Sequence, residues 1–347
     1  MSMRHAYFFL LLLLSFSIFA TDHDNSISGQ IIDSVMNEPI YYANIFLANT
    51  TIGTTSDSMG HFVLKNIPAG NYSIVVSFIG YELQRQNIQV ASGSTIILNF
   101  ALKKTVLEME PLEVVDTHDK NWRLLFDTFR TDFLGYTENA ASCEFENPEV
   151  MHLSTDETGA LCGWTLRPLR MKHNNFGYLV DIIVQDFEST DEEVRYIVLP
   201  KYMEMTPALD DQRKAWIENR RRSFYGSYRH FFYSLFFGQL EEAGFSLELV
   251  RQPKRFRTPE AVFSSENAFG TIFSNTQFAL IKRLHFKDYL RVRHHENWAQ
   301  TSFLKMPFDT MQVDIAGNTL ADAKIRRSGF WGRIRFADEL PLDWLPD

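Results

Sequence analysis

From Ser26 to about Phe100 the chain alternates apolar and polar positions in short runs broken by turn residues, the pattern of an all-β module. Ile27, Gly29 and Ile31 alternate with polar neighbours; Ala43, Ile45 and Leu47 share a face, as do Phe62 and Leu64, then Tyr72, Ile74 and Val76. Ile88, Val90, Ile96, Leu98 and Phe100 supply the closing strands. Turns are expected at Asn37-Glu38-Pro39, Thr50 to Gly53, Asp57-Ser58-Met59-Gly60 and Asn66 to Gly70, where Gly, Pro, Asn and Asp supply the backbone conformations that turns need.

After an acidic stretch, Val106 to Val115, the period changes. Trp122, Leu125, Phe126, Phe129 and Phe133 hold helical spacing up to Gly135. Strands are expected at Met151 to Ser154, Leu161 to Leu166, Gly177 to Phe187 and Val194 to Leu199, the third apolar on both sides and so covered on both faces. A long helix is expected from Leu209 to Leu240, interrupted at Gly226 and Gly238. Further strands are expected at Phe245 to Val250, Phe278 to Phe286, Tyr289 to Arg293, Met311 to Ile315, Leu320 to Ile325 and Trp331 to Phe336. Mixed helices and strands of this kind make an α+β domain.

The segments Gly29-x-Ile31-x-Asp33, Glu38-Pro39-Ile40, Ala43-Asn44-Ile45, Gly53-Thr54-Thr55-Ser56-Asp57-x-x-Gly60-x-Phe62, Ile67-Pro68-Ala69-Gly70-x-Tyr72 and Phe78-x-Gly80-Tyr81 resemble the carboxypeptidase regulatory-like domain. The resemblance implies a seven-stranded, transthyretin-like β-sandwich over residues 26–103, of a kind found beside some zinc carboxypeptidases and at the front of many outer-membrane receptors. Asn175-x-Gly177-Tyr178, Arg213-x-x-Trp216-x-x-Asn219-Arg220 and the closing Asp338-Glu339-Leu340-Pro341-Leu342 resemble an uncharacterised exported family that carries the same sandwich and has no assigned activity. The expected organisation is a leader at 1–20, the sandwich at 26–103, a connector at 104–117 and an α+β domain at 118–347.

Arg4 and His5 ahead of an apolar run from Ala6 that ends at Ala20 form the pattern of a cleaved export signal, too short to span a bilayer. The expected location is therefore the periplasm, the outer-membrane periphery or the outside of the cell, with no transmembrane span after cleavage. A formal net charge of −9 opposes nucleic-acid binding, which depends on neutralising phosphates. Export makes a Cys143–Cys162 disulfide a question, but a hairpin at Asp156-Glu157-Thr158-Gly159 places Leu153 opposite Cys162 and favours two buried free thiols.

Chemistry is harder to find. A zinc carboxypeptidase needs His-x-x-Glu and a distant His; no histidine here has Glu three residues on, and His285-x-x-Asp288, followed by His294-His295-Glu296, lies in strand-like sequence that splits such a pair between faces. No catalytic residue, metal ligand or cofactor is assigned. The most suggestive cluster is Arg220, Arg221, Arg222 and Arg229 among Phe224, Tyr225, Tyr228 and Tyr233. Arginine forks beside aromatic faces suit an anionic glycan, a carboxylate or a lipid headgroup, while helical spacing suits core packing with the arginines on a solvated side. Two functions stay open. One is an exported, envelope-associated, non-catalytic binding or assembly protein whose partner is a glycan, a peptide or an outer-membrane protein. The other is an exported hydrolase-like enzyme with its site in residues 118–347.

Overall fold

The computed structural model of the chain describes residues 25–105, 119–191, 193–250, 261–263 (backbone), 272–295, 297–319 and 325–346. The expected leader, most of the connector and residues 320–324 of one expected strand lie outside them.

The first module contains β1 (Ser26–Asp33), β2 (Asn44–Leu47), β3 (Gly53–Thr55), β4 (His61–Leu64), β5 (Gly70–Ser77), β6 (Gln84–Val90), β7 (Thr95–Ile97) and β8 (Phe100–Leu102). One sheet orders β4-β1-β7, with β8 also on β1; the other orders β3-β2-β5-β6. The last strand is interrupted: Leu98 donates to the Ser28 carbonyl and Asn99 Oδ1 accepts from the Gln30 amide, so β7 and β8 together complete the expected seven. Ile27, Ile31, Ile45, Leu47, Ile74 and Val76 are fully buried between the sheets, each stabilising the fold by about 1.5–3 kcal/mol over an exposed side chain.

The second core forms around α1 (Lys120–Leu134), α2 (Glu138–Ala141), β9 (Cys143–Phe145), β10 (Met151–Thr155), β11 (Leu161–Thr165), β12 (Leu169–His173), β13 (Tyr178–Ser189) and β14 (Val194–Glu204). The long strand β13 pairs β14 along one edge; on the other it pairs β12 at one end and β11 at the other. Phe129 and Phe133 of α1 pack on Phe187 and Phe336. The Asp156 turn is one residue longer than expected, because Asp156 Oδ1 accepts from the Thr158 and Ala160 amides. Ser154, not Leu153, therefore faces Cys162, and Leu153 faces Gly163. The cysteines are free. Cys143 shares a row with Tyr178 through His173, while Cys162 shares one with Glu188, ten positions along β13 and so roughly 30 Å away by strand rise. Burial pushes the Cys143 thiol up to about 12.

The expected long helix is two: α3 (Asp210–Phe224) and α4 (Tyr228–Phe237). Gly226 takes φ +79° between them and Ser227 caps α4 by accepting from the His230 amide. A third core then gathers α4 with β15 (Phe245–Val250), β16 (Ala261–Phe263), β17 (Phe273–Asn275), β18 (Ile281–His285), β19 (Tyr289–His294), β20 (Ser302–Lys305), β21 (Thr310–Asp314), β22 (Arg326–Gly329) and α5 (Phe330–Arg333). The strand expected at Trp331 to Phe336 is instead a helical turn. Gly329 at φ +72° reverses the chain, and Trp331 turns inward to donate Nε1–H to the Gly226 carbonyl at 2.9 Å.

The sandwich is docked on the second core. Phe46 and Val75, on the outer side of β2 and β5, cluster with Leu199 and Ile183. The loop after β2 lies along β14: Asn49 donates to the Pro200 carbonyl at 2.8 Å and Tyr202 to the Thr50 carbonyl at 2.9 Å. Residues 336–344 then strap the parts together. His173 Nε2 donates to Ala337 O, Thr137 and Asn139 hydrogen-bond Asp338, and Ser223 reaches Asp338 O. Leu342 donates to Asn49 O, and Asp343 accepts from the Thr51 amide and hydroxyl.

Candidate interaction surface

The arginines expected on one surface are separated by the fold. Arg220 is buried: Nε donates to Phe176 O at 2.8 Å, Nη1 meets Glu204 at 2.7 Å, and the guanidinium lies 4.0 Å from the Tyr178 ring centre. Arg229 donates to Pro341 O at 2.6 Å and to Leu342 O, so it holds the strap; burial lowers its pKa to about 10. Arg222 is exposed and pairs with Glu218 one helical turn away. Arg221 is half-buried. A helix can show a cationic stripe to solvent only if nothing packs on that side, and here β13 and the strap both do.

The histidines of the third core also have structural partners. Gly226 donates to His230 Nδ1 at 3.1 Å, and His294 lies 5.8 Å from His230 between ring centres. Desolvation lowers His230 to about 4 and pushes His294 down as well. His285 is on β18, whereas Asp288 sits in the following turn at φ +62°. Among the described residues no group of three or more His, Cys, Asp or Glu is placed to hold a metal ion.

The clearest surface feature lies on the sandwich. The register puts the ends of β1, β3, β5 and β8 and the starts of β2, β4 and β6 at one pole. Its loops expose Val35 (80%), Met36 (59%), Tyr41 (60%), Tyr42 (62%), Met59 (58%) and Ile79 (89%). Isolated exposed apolar residues are ordinary; six on the loops of one pole are not. Beneath them lies a fixed base. Asp33 accepts from the Val35 and Met36 amides and from the Tyr81 hydroxyl, with Lys104 at 3.5 Å, and these bonds hold its carboxyl down at about 2.

Tyr42 is held in the left-handed region at φ +65°, which a bulky residue adopts only at a cost. Three bonds fix it there. Tyr42 donates to Ser56 O, the Ala43 amide donates to Ser56 Oγ, and that hydroxyl donates to Ile40 O. Tyr41 and Tyr42 thus stand out as an edge-to-face pair with ring centres 5.7 Å apart. Sequence reasoning expected turns at Asn37-Glu38-Pro39 and Asp57 to Gly60 in two of these loops, and missed the three as a surface. The available signal was apolar residues inside turns: Val35-Met36 before Asn37, Met59 in the Asp57 turn, and Ile79 before Gly80.

The fold so described is a transthyretin-like β-sandwich followed by α+β structure. Residues 27–115 match the CarboxypepD_reg-like domain. Carboxypeptidase E of Caenorhabditis elegans is 31% identical over 87 residues, which are 22% of this chain and 18% of that protein, so the chain spans less than a fifth of the relative's length. Among solved structures, a type II cohesin–X-dockerin complex from Acetivibrio cellulolyticus is 20% identical, covering 22% of this chain and 52% of that one with a TM-score of 0.18. The group B streptococcus pilus 2b backbone protein is 17% identical, covering 23% and 41% with a TM-score of 0.21. Overlaps this partial say nothing of function. No helix among the described residues is long and apolar enough to cross a membrane.

Proposed function

We propose that this is an exported, envelope-associated, non-catalytic binding or assembly protein, and that the apolar pole of its sandwich is the surface that meets the partner. The observation that carries the reading is the set of six exposed apolar side chains, a tyrosine pair among them with Tyr42 held in a strained backbone conformation. Strain at an exposed aromatic persists only where surrounding bonds enforce it, and it clusters at functional positions. The occupant that fits is a protein surface that is apolar with a basic rim. Glu38, Asp57, Glu82 and Asp33 outnumber Lys103 and Lys104 around the pole, a balance that repels an anionic bilayer. A peptide or an outer-membrane protein meets this description better than a glycan.

The test is affinity capture from an envelope extract with the chain from residue 21 onward, beside a Tyr41→Ser/Ile79→Ser variant. Both substitutions are at exposed positions and leave the fold intact. A partner retained by the parent and lost from the variant supports the reading; a partner retained equally by both places the surface elsewhere. The expected enzyme alternative has no specific geometric observation in its favour.

A further inference from the structure

The sheet that contains β10, β11, β13 and β14 packs α1 on one face. The sandwich covers part of the other through Ile183 and Leu199, and the next row along the strands is uncovered. In that row His152 of β10 stands opposite Trp164 of β11. Their rings are parallel, with 7° between planes and 4.1 Å between centres. Trp164 is nevertheless 44% exposed. Since His152 covers the indole face turned towards β10, the face turned towards β13 is the open one.

A β-bulge sets what lies in front of that face. Gly163 pairs with Phe187, and Thr165 Oγ1 accepts from the Val184 amide at 3.0 Å, so Trp164 stands across from two residues, Gln185 and Asp186. On the β14 side Val184 pairs with Val198 and Asp186 with Ile197, leaving Gln185 as the extra residue. Bulges re-aim side chains and are frequent beside active sites. Both bulge residues here are exposed. From the sandwich strand β6, Arg85 Nη1 reaches Gln185 Oε1 at 3.5 Å, well beyond the usual ~2.9 Å, so this contact is readily exchanged for a better one. The open indole face therefore looks into a notch between two modules, the kind of place where ligand sites concentrate.

A flat aromatic face bordered by a carboxylate, an amide and a guanidinium is the chemical complement of a sugar ring. A pyranose with equatorial hydroxyls carries C–H bonds on its faces and O–H groups around its rim. Stacked on the indole at about 3.5–4.0 Å, it lies over β13, which runs about 4.8 Å from β11, with its rim against Gln185 and Asp186. An apolar protein surface in the same place would bury the Asp186 carboxylate and the Gln185 amide unpaired, which is costly. An anionic sugar would meet the Asp186 charge. We propose that Trp164, Gln185, Asp186 and Arg85 bind an uncharged pyranose unit of an oligosaccharide. The indole takes the C–H face, Asp186 accepts from hydroxyls, and the Gln185 amide and Arg85 donate to the sugar oxygens. This site lies on the second core's sheet and is additional to the protein partner proposed for the sandwich pole.

Calorimetric titration of cellohexaose, xylohexaose, maltohexaose and N-acetylchitohexaose into the full chain, beside a Trp164→Ala variant, tests this. Saturable binding of at least one of the four by the parent, weakened about tenfold in the variant, is the expected result, since that factor is the upper end of what one aromatic stacking contact contributes. Trp164→Phe keeps a flat face and is expected to retain most of the affinity. Tyr41→Ser/Ile79→Ser is expected to bind the sugar as the parent does, which separates this site from the pole. If Trp164→Ala does not fold, Asp186→Ala and Gln185→Ala remove the groups at the rim and are expected to weaken the same sugar. No saturable heat with any of the four sugars, equal affinity in the parent and these site variants, or a loss confined to the pole variant overturns the proposal.

Discussion

Tyr42 shows how one residue can give up stability for presentation. Replacing it with glycine relieves the left-handed backbone of a Cβ, a change worth about 1 kcal/mol, and removes half of the aromatic pair. Tyr42→Gly is therefore expected to raise the urea midpoint while reducing partner capture; a lower midpoint would mean that Tyr42 is a packing residue. Two histidines predict the acid response. His173 accepts from the Phe176 amide at Nδ1 and donates from Nε2 to Ala337 O, a neutral ring, and desolvation lowers it to about 4. His230 is lowered to a similar value. A base whose folded pKa lies below its unfolded value of 6.5 binds fewer protons when folded. Its stabilising effect is thus complete above pH 6.5 and lost as pH falls towards 4. Asp33, held at about 2 against 3.8, contributes only below that window, as pH falls through its folded value. Urea titrations across pH 4 to 7 are expected to show this slope, and His173→Gln is expected to flatten it whatever its absolute stability.

Among the elements, the junction of β12, β13 and α3 depends on one absent side chain. Gly177 has φ +69°, and a Cβ there would fall 2.2 Å from the Trp216 indole that seats α3. Gly177→Ala is expected to cost about 2–4 kcal/mol, combining the backbone penalty with overpacking; a thermal shift of less than a few degrees would show that α3 can move away freely. Amphipathic spacing made α1 and most sandwich strands legible, because a single packed face sets their pattern, and β13 was legible from apolar residues on both of its faces. The break between α3 and α4 was legible in Gly226. Short strands such as β9, β12 and β20 were not, since three to five residues carry too little periodicity. The helical turn at Trp331 depends on a partner over a hundred residues away. Arg220 and Arg229 looked like a surface cluster because spacing along a helix does not reveal what packs on each side. The polar loops of the sandwich were legible as turns, but their convergence on one pole follows only from strand register.

Across the whole molecule, the sandwich is fixed in place. The bonds from Asn49, Thr50 and Thr51 to β14 and to the strap, with the Phe46–Val75–Leu199–Ile183 cluster, couple it to the second core. Asp343→Ala removes the acceptor for Thr51 and is expected to split a single calorimetric unfolding transition into two, the sandwich separating from the rest. One unchanged transition would show that the apolar cluster suffices. Docking on one side leaves the opposite pole as the presented end, and this is the central claim. Its most direct test is a photocrosslinking amino acid placed at Tyr41 or Ile79, with exposed Leu124 on α1 as the control position. The account predicts one and the same partner crosslinked from both pole positions and not from the control; crosslinks from the control alone, or none from the pole while capture persists, would contradict it.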